Sequence, residues 1–261
     1  MLTISFLVPT LGNRIKELKR LLNSLEQQTI VSFEIVIVVQ DNYEEVKYIC
    51  NTFNNLKILC IKSEKRGLSI NRNIGLSYCS GEIIVLSDDD CWYPENAVQN
   101  ISKEFKNEKV DVVLTKIYDV EKEQEYKKYD NVTYFINSKI KLMSRSSIEI
   151  AFRNNIKKVG FDESFGLGAY FVCGEEIDFL LKIYENGYKI KYVPIISVYH
   201  PIKICTESDK TKRIIAKGAL YAKHYNFVVG ILVVFRDLLL KRENNFLNFW
   251  RGYNEFSKRM R

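Results

Sequence analysis

Four apolar residues, Ile83-Ile84-Val85-Leu86, run through Ser87 into three consecutive carboxylates, Asp88, Asp89 and Asp90, and this junction limits what the chain can become. A run that is apolar at every position reads as a strand covered on both faces, as in a parallel sheet with helices above and below. Three adjoining carboxylates repel one another unless something neutralises them. In open α/β sheets the carboxyl ends of the strands border the ligand crevice, so the triplet stands where a divalent cation could be held against a phosphorylated ligand. A solvated acidic turn closed by Pro94 is the other reading of the same residues.

The rest of the first half repeats the pattern. Residues 4–8 form a first strand stopped by Pro9, and Asn13 caps a helix whose Ile15, Leu18, Leu21, Leu22 and Leu25 recur at helical spacing. A second strand, 34–39, ends in Gln40-Asp41-Asn42, and a weaker helix follows over 44–53. A third strand, 56–61, leads to a helix beginning at Ser69 or Asn71 and closed by Ser80-Gly81. Helix and strand continue to alternate as far as 110–115, the βαβ rhythm of a mostly parallel, doubly wound α/β sheet. Beyond residue 116 the rhythm breaks. Residues 116–138 are polar and tyrosine-rich, which suggests a flap over the site, and 139–153 read as an irregular extension of the sheet. Gly174 introduces a helix over 175–186, and 188–194 and 195–199 are short strands.

The chain of 261 residues, 46% hydrophobic and 27% charged, suits one large domain with a helical appendage. The division falls near residue 202, after a domain whose rhythm changes between 1–115 and 116–202, and before a basic helical region over 203–261. The net charge of +7 is carried by that last region, where 13 Lys and Arg face 5 Asp and Glu. Such asymmetry points to an anionic surface or partner. No nucleic-acid-binding motif accompanies it. The uncharged stretch 225–235 is too short to cross a bilayer. Its apolar face (Phe227, Val228, Ile231, Leu232, Val234, Phe235, Leu238, Leu239) stands beside Lys217, Lys223, Arg236, Lys241 and Arg242, so it packs on the domain or a homodimer partner, or else meets an anionic membrane. Six cysteines without a CxxC pair read as reduced thiols of a cytoplasmic protein, and Met1 to Phe6 read as a strand rather than a signal peptide.

Four strand ends deliver polar residues to one sheet edge: Pro9-Thr10, Asp41, Arg66 with the helix bearing Arg72-Asn73, and the Asp triplet. Asp41 taken alone could be an Asx turn and Arg72 a surface cation. Neither GxGxxG nor a Walker A loop is present, which excludes the common dinucleotide and P-loop sites. Glu175, Glu176 and Asp178 begin a helix, where the dipole favours carboxylates, yet one of them could serve as a general base. His200 is either a packed residue or, with two carboxylates and a diphosphate, part of an octahedral shell suited to Mn²⁺ or Mg²⁺.

The ordered set Val8-Pro9-Thr10, 22–28, 38–42, Arg72-Asn73-Ile74-Gly75-Leu76, 81–94, Phe161-Asp162-Glu163, Gly174-Glu175-Glu176-x-Asp178-Phe179 and Tyr199-His200 resembles family 2 glycosyltransferases of the GT-A fold, over about residues 3–201. The resemblance implies an inverting hexosyltransferase of bacterial surface-polysaccharide synthesis, peripheral on the inner face of the cytoplasmic membrane. Its donor would be a nucleoside-diphosphate sugar, UDP-linked by preference, bound by a nucleotide-binding half over 1–115, and its acceptor a saccharide or lipid-linked saccharide, met by an acceptor half over 116–202. By the same resemblance Pro9, Thr10 and Asp41 hold base and ribose, while Arg72 and Arg66 contact base or diphosphate. Asp88 lies near the ribose, Asp90 or Asp89 binds Mn²⁺ or Mg²⁺, and Glu176 is the base beside Glu175. The family often has Glu-Asp where this chain has Glu175-Glu176. A nucleotidyltransferase would show Gly-x-Gly-x-Arg near its N-terminus, which is missing. A catalytically silent sugar- or membrane-binding subunit is the alternative.

Overall fold

The computed structural model describes residues 2–30, 32–106, 109–203, 206–225, 228–232 and 246–259. Nine strands form one sheet: β1 (Ile4–Thr10), β2 (Phe33–Val39), β3 (Ile58–Lys62), β4 (Ile83–Leu86), β5 (Val112–Asp119), β6 (Gln124–Glu125), β7 (Tyr134–Phe135), β8 (Ile150–Arg153) and β9 (Ile190–Tyr199). The order is β3-β2-β1-β4-β8-β5-β9-β7, with β6 paired to β5. The first four strands and the β5–β9 pair are parallel, whereas β8 lies antiparallel between β4 and β5. The expected α/β sheet is therefore mixed, though mostly parallel.

Both faces are covered, as the unbroken apolar runs require. Phe6, Val8, Ile35, Ile37 and Val39 point to the face packed by α1 (Ile15–Glu26), α2 (Tyr43–Cys50) and α4 (Ala97–Glu104). Their neighbours Leu7, Val36 and Val38 join the opposite core, with α3 (Leu68–Tyr78) and α5 (Glu175–Glu185). Helix α1 buries Leu18, Leu21, Leu22 and Leu25, the stripe its spacing predicts. Its cap position is Arg14, not Asn13, and no side chain caps it. Gly75 lets α3 lie close on the sheet, because a Cβ there would stand 2.2 Å from Leu7 Cδ1. One turn earlier on α3 is Arg72.

Pro9 does not stop β1, which continues to Thr10 against Val39. Leu7 accepts from the Ser87 amide, so Pro9, two residues on, turns its nitrogen to the side where β4 has ended. The missing N–H removes no ladder bond there. The two short strands expected over 188–199 are one strand, β9, which passes through Pro194 because its register against β5 shifts around Lys116. The 116–138 stretch is only partly an excursion, since β5 extends to Asp119, β6 and β7 join the sheet, and Tyr129 is buried.

The C-terminal helices α6 (Glu207–His224) and α7 (Phe246–Arg259) pack on each other and on the domain. Ala216, Ala219, Leu220 and Phe256 meet Phe165 and Phe171 of the loop before α5. The buried Asp178 of α5 pairs with Lys223 at 2.6 Å and His224 at 2.8 Å, which fastens α6. Gly218 and Gly252 allow the helix backbones to touch, as a Cβ at Gly252 would lie 1.9 Å from the Ile215 carbonyl. Phe227, Val234, Phe235, Leu238, Leu239, Arg236, Lys241 and Arg242 lie outside the described residues. No helix among the described residues is long and apolar enough to cross a membrane. Cys50, Cys60, Cys79 and Cys91 are free thiols, and Cys205 lies outside the described residues.

Candidate functional site

The carboxyl ends of β1 and β4, with the residues that follow β9, meet at the Asp triplet. The Thr10 hydroxyl donates to Asp89 Oδ2 at 2.6 Å. Arg14 Nη1 lies 3.1 Å from Asp89 and 2.7 Å from Asp90, and Lys203 Nζ reaches Asp90 Oδ2 at 2.7 Å. These cations answer the repulsion inherent in three adjoining acids. Burial alone would raise the Asp90 carboxyl, but the contacts with His200 and Lys203 outweigh it and hold the group well below the usual carboxylate range. Asp89 goes the other way, pushed up chiefly by burial despite Thr10 and Arg14. The Asp90 carbonyl accepts from Arg20, whose guanidinium lies 3.7 Å from the Trp92 ring centroid.

His200 tests whether a metal fits. The Pro201 carbonyl can only accept, so Nδ1, at 2.7 Å, carries a hydrogen. Nε2 then faces Asp90 Oδ1 at 3.2 Å with either a proton or a lone pair. In the second case a cation between them makes the contact favourable, and an imidazole with a carboxylate is a donor set that Mn²⁺ or Mg²⁺ accepts. Among the described residues no group of three or more His, Cys, Asp or Glu gathers as a metal cluster. The remaining positions would fall to ligand oxygens and water, as is usual for Mg²⁺.

Asp88, expected beside Asp90, has another partner. Arg72 is buried, with Nη2 3.1 Å from Asp88 and Nη1 2.8 Å from Glu175. The guanidinium thus joins the end of β4 to the start of α5. It is a clamp between two carboxylates rather than a surface cation. Its neighbour Asn73 exchanges two hydrogen bonds with the Phe161 backbone, at 2.9 and 2.7 Å, and Ser69 donates to the Phe165 carbonyl. The 161–171 loop is thereby laid over the start of α3. Gly166, at φ +107°, keeps the loop close to α3, since a Cβ there would stand 2.9 Å from Ser69 Oγ.

Glu175 is buried and Glu176 partly so, at the first turn of α5. Desolvation first, and the neighbouring Glu175 charge second, push the Glu176 carboxyl up to about 8, with Arg72 opposing. Asp41 pairs with Arg66 at 2.8 Å on the exposed rim beyond β2 and β3. Pro9, in contrast, is buried within β1. The structure therefore forms three groups: Thr10, Asp89, Asp90 and His200; Arg72, Asp88 and Glu175, with Glu176 alongside; and Asp41 with Arg66. Sequence reasoning missed Arg14 and Lys203. The available signal was the charge balance, because three acids at a strand end call for cations from nearby loops.

The sequence model described as Glycosyl transferase family 2 matches residues 5–166. An uncharacterized glycosyltransferase of Haemophilus influenzae is 27% identical over 222 residues, covering 80% of this chain and 72% of that one. Glycosyltransferase GlyA of Streptococcus pneumoniae is 30% identical over 134 residues, 46% of this chain, so the chain spans about a fifth (19%) of that relative. Among solved structures, S. aureus TarS 1-349 in complex with UDP-GlcNAc superposes with a TM-score of 0.66 at 19% identity, covering 85% of this chain and 67% of that one. The mannosyltransferase PcManGT from Pyrobaculum calidifontis, in complex with GDP-Man and Mn²⁺, gives 0.62 at 18% identity, covering 85% and 63%. These likenesses show a shared GT-A-like fold. With the motifs in order along the sheet edge and the sequence match across more than half its length, the chain belongs to glycosyl transferase family 2.

Proposed function

We propose that this protein transfers a hexose with inversion, in a metal-dependent reaction, from a nucleoside-diphosphate sugar, a UDP-sugar, to a hydroxyl of a saccharide or lipid-linked saccharide in cell-surface polysaccharide synthesis. The observation that carries the proposal is the Arg72 clamp, which sets the Glu175-Glu176 pair opposite Asp88 at the carboxyl edge of the sheet. Relatives bound to UDP-GlcNAc, and to GDP-Man with Mn²⁺, support a nucleotide-sugar donor. Asp41 and Arg66 border the rim where the base would lie, and Thr10 stands with the triplet next to the ribose position.

Glu176 takes the proton of the acceptor hydroxyl as its oxygen attacks the anomeric carbon, and the bond to the diphosphate breaks on the opposite side. A carboxyl raised towards neutral pH suits this work, because proton affinity and ionised fraction are then balanced. Charge building on the leaving diphosphate faces Arg14 and Lys203, already poised at Asp90. A Mn²⁺ or Mg²⁺ held by Asp90 and His200 would supply further positive charge there.

The test is a thermal-shift panel of UDP, dTDP, GDP and CMP, each with Mn²⁺, Mg²⁺ or EDTA. One diphosphate at about a hundred times its dissociation constant should stabilise the protein by roughly 2.7 kcal/mol, and only with metal present. No shift with any nucleotide would overturn the proposal.

A further inference from the structure

Two residues beyond Asp90, Trp92 forms a β-bridge with Tyr199 at the end of β9. Trp92 and Tyr199 exchange both backbone hydrogen bonds, at 3.1 and 2.7 Å, so their side chains leave the same face of the bridge. Their ring centroids lie 5.8 Å apart at 55°. The two rings form one wall of an open groove of about 800 Å³, bordered by the end of α1, the start of α4 and β9. Successive strand residues point to opposite faces, so Tyr199 and His200 serve different sides of the sheet.

Gln27, Asn96 and Asn100 also border the groove. Among the described residues their side-chain amides make no hydrogen bond to the protein. Asn96 occupies the cap position of α4 without spending its side chain on the cap. Gln27 and Asn96 are exposed and Asn100 half-buried, so three amides, each offering two donors and an acceptor, face solvent beside the aromatic wall.

We propose that this groove is a saccharide-binding subsite, receiving sugars of the acceptor glycan remote from the hydroxyl that reacts. A pyranose has an apolar C–H face, which packs on an aromatic ring, and a rim of vicinal hydroxyls that donate and accept in pairs. Side-chain amides match that pairing. The volume lies within the range of small-ligand sites and admits a short oligosaccharide. Glu95, at the same border, weighs against acidic sugars, so a neutral saccharide is the expected occupant. The chemistry of the groove selects a saccharide by itself; its assignment to the acceptor rests on the glycosyltransferase reading.

The experiment is binding of the 261-residue protein, without donor, to a microarray of neutral and acidic bacterial surface oligosaccharides, followed by titration of the best-retained glycan. Neutral glycans should be retained. The Asn96→Ala/Asn100→Ala double variant should weaken binding by at least roughly tenfold, as loss of two or more hydrogen bonds implies. Its melting temperature and its nucleotide thermal shift should match the wild type, because neither amide belongs to the catalytic cleft. Retention of no glycan, or equal retention by the double variant, would overturn the assignment. A positive array with no nucleotide shift would leave the groove standing and remove the transfer reaction; the reverse pattern would remove the groove alone.

Discussion

Arg72→Met is the sharpest perturbation of the site, because it removes one charge from between two carboxylates without opening a large cavity. The Arg72 side chain is 1% exposed and that of Glu175 7%, so their 2.8 Å contact is an ion pair withdrawn from water. Breaking such a pair by deleting one partner costs about 3–5 kcal/mol, mostly through the charge left behind. Asp88 is 35% exposed and solvent takes over much of its share, so the loss is assigned to Glu175. Against a total stability of about 5–15 kcal/mol this is severe. At roughly 2–4 °C per kcal/mol for a chain of this size, the melting temperature should fall by about 6–20 °C. Urea unfolding of Arg72→Met, Glu175→Gln and the double variant provides the assay. With the buried charge gone, the double variant should recover about 2 kcal/mol relative to the sum of the single losses. A loss below about 1 kcal/mol for Arg72→Met, or strictly additive single losses, would refute the reasoning. The same substitution removes a charge that opposes the raised Glu176 carboxyl, so the acid limb of the transfer rate should move to higher pH.

Transfer at limiting substrate should rise as pH climbs towards about 8, the region to which the Glu176 carboxyl is pushed, and Glu176→Gln should lose transfer while keeping the nucleotide thermal shift. In stability the sign is opposite. A folded pKa raised from 4.5 to about 8 favours the protonated fold, so the wild type should lose ground to Glu176→Gln between those two pH values in urea titrations. Asp90→Asn should abolish the metal-dependent part of the thermal shift, and unchanged metal dependence would place the ligand elsewhere. Gly252→Ala would drive a Cβ into the Ile215 carbonyl; it should cost about 1–3 kcal/mol and raise hydrogen exchange in α6 and α7 while β1 and β2 stay protected.

The parallel half of the fold was legible because its signals are local. Ile83 to Leu86 and Ile35 to Val39 are apolar at successive positions, and α1 carries leucines at helical spacing. The second half was harder because distant partners decide it. β8 is four residues long, and it finds its place between β4 and β5 through pairings with Val85 and Val113 that no local pattern announces. Pro194 reads as a break, yet it is accommodated by irregular register around Lys116, which only the tertiary structure reveals. In the site the carboxylates stood out as a cluster, whereas Arg14 and Lys203 were two among 39 basic residues. Arg72 and Asn73 carried a recognisable motif, but their work as clamp and loop fastener depends on Glu175 and Phe161, far along the chain.

The contact between Asp90 and His200 spans 110 positions, which gives the site a place in the time course of synthesis. On a ribosome adding about 5–20 residues per second, Asp90 emerges roughly ten seconds before the histidine that meets it. During that interval the β1–β4 sheet can already have formed, with its acidic triplet exposed and Arg14, Arg20 and Arg72 near it. A nascent chain at this stage would carry the sheet edge without Glu176, His200 or Lys203. Capacity to bind donor would then arrive as a late, single event when β9 zips onto β5, so donor binding reports completion of folding as well as identity of the ligand.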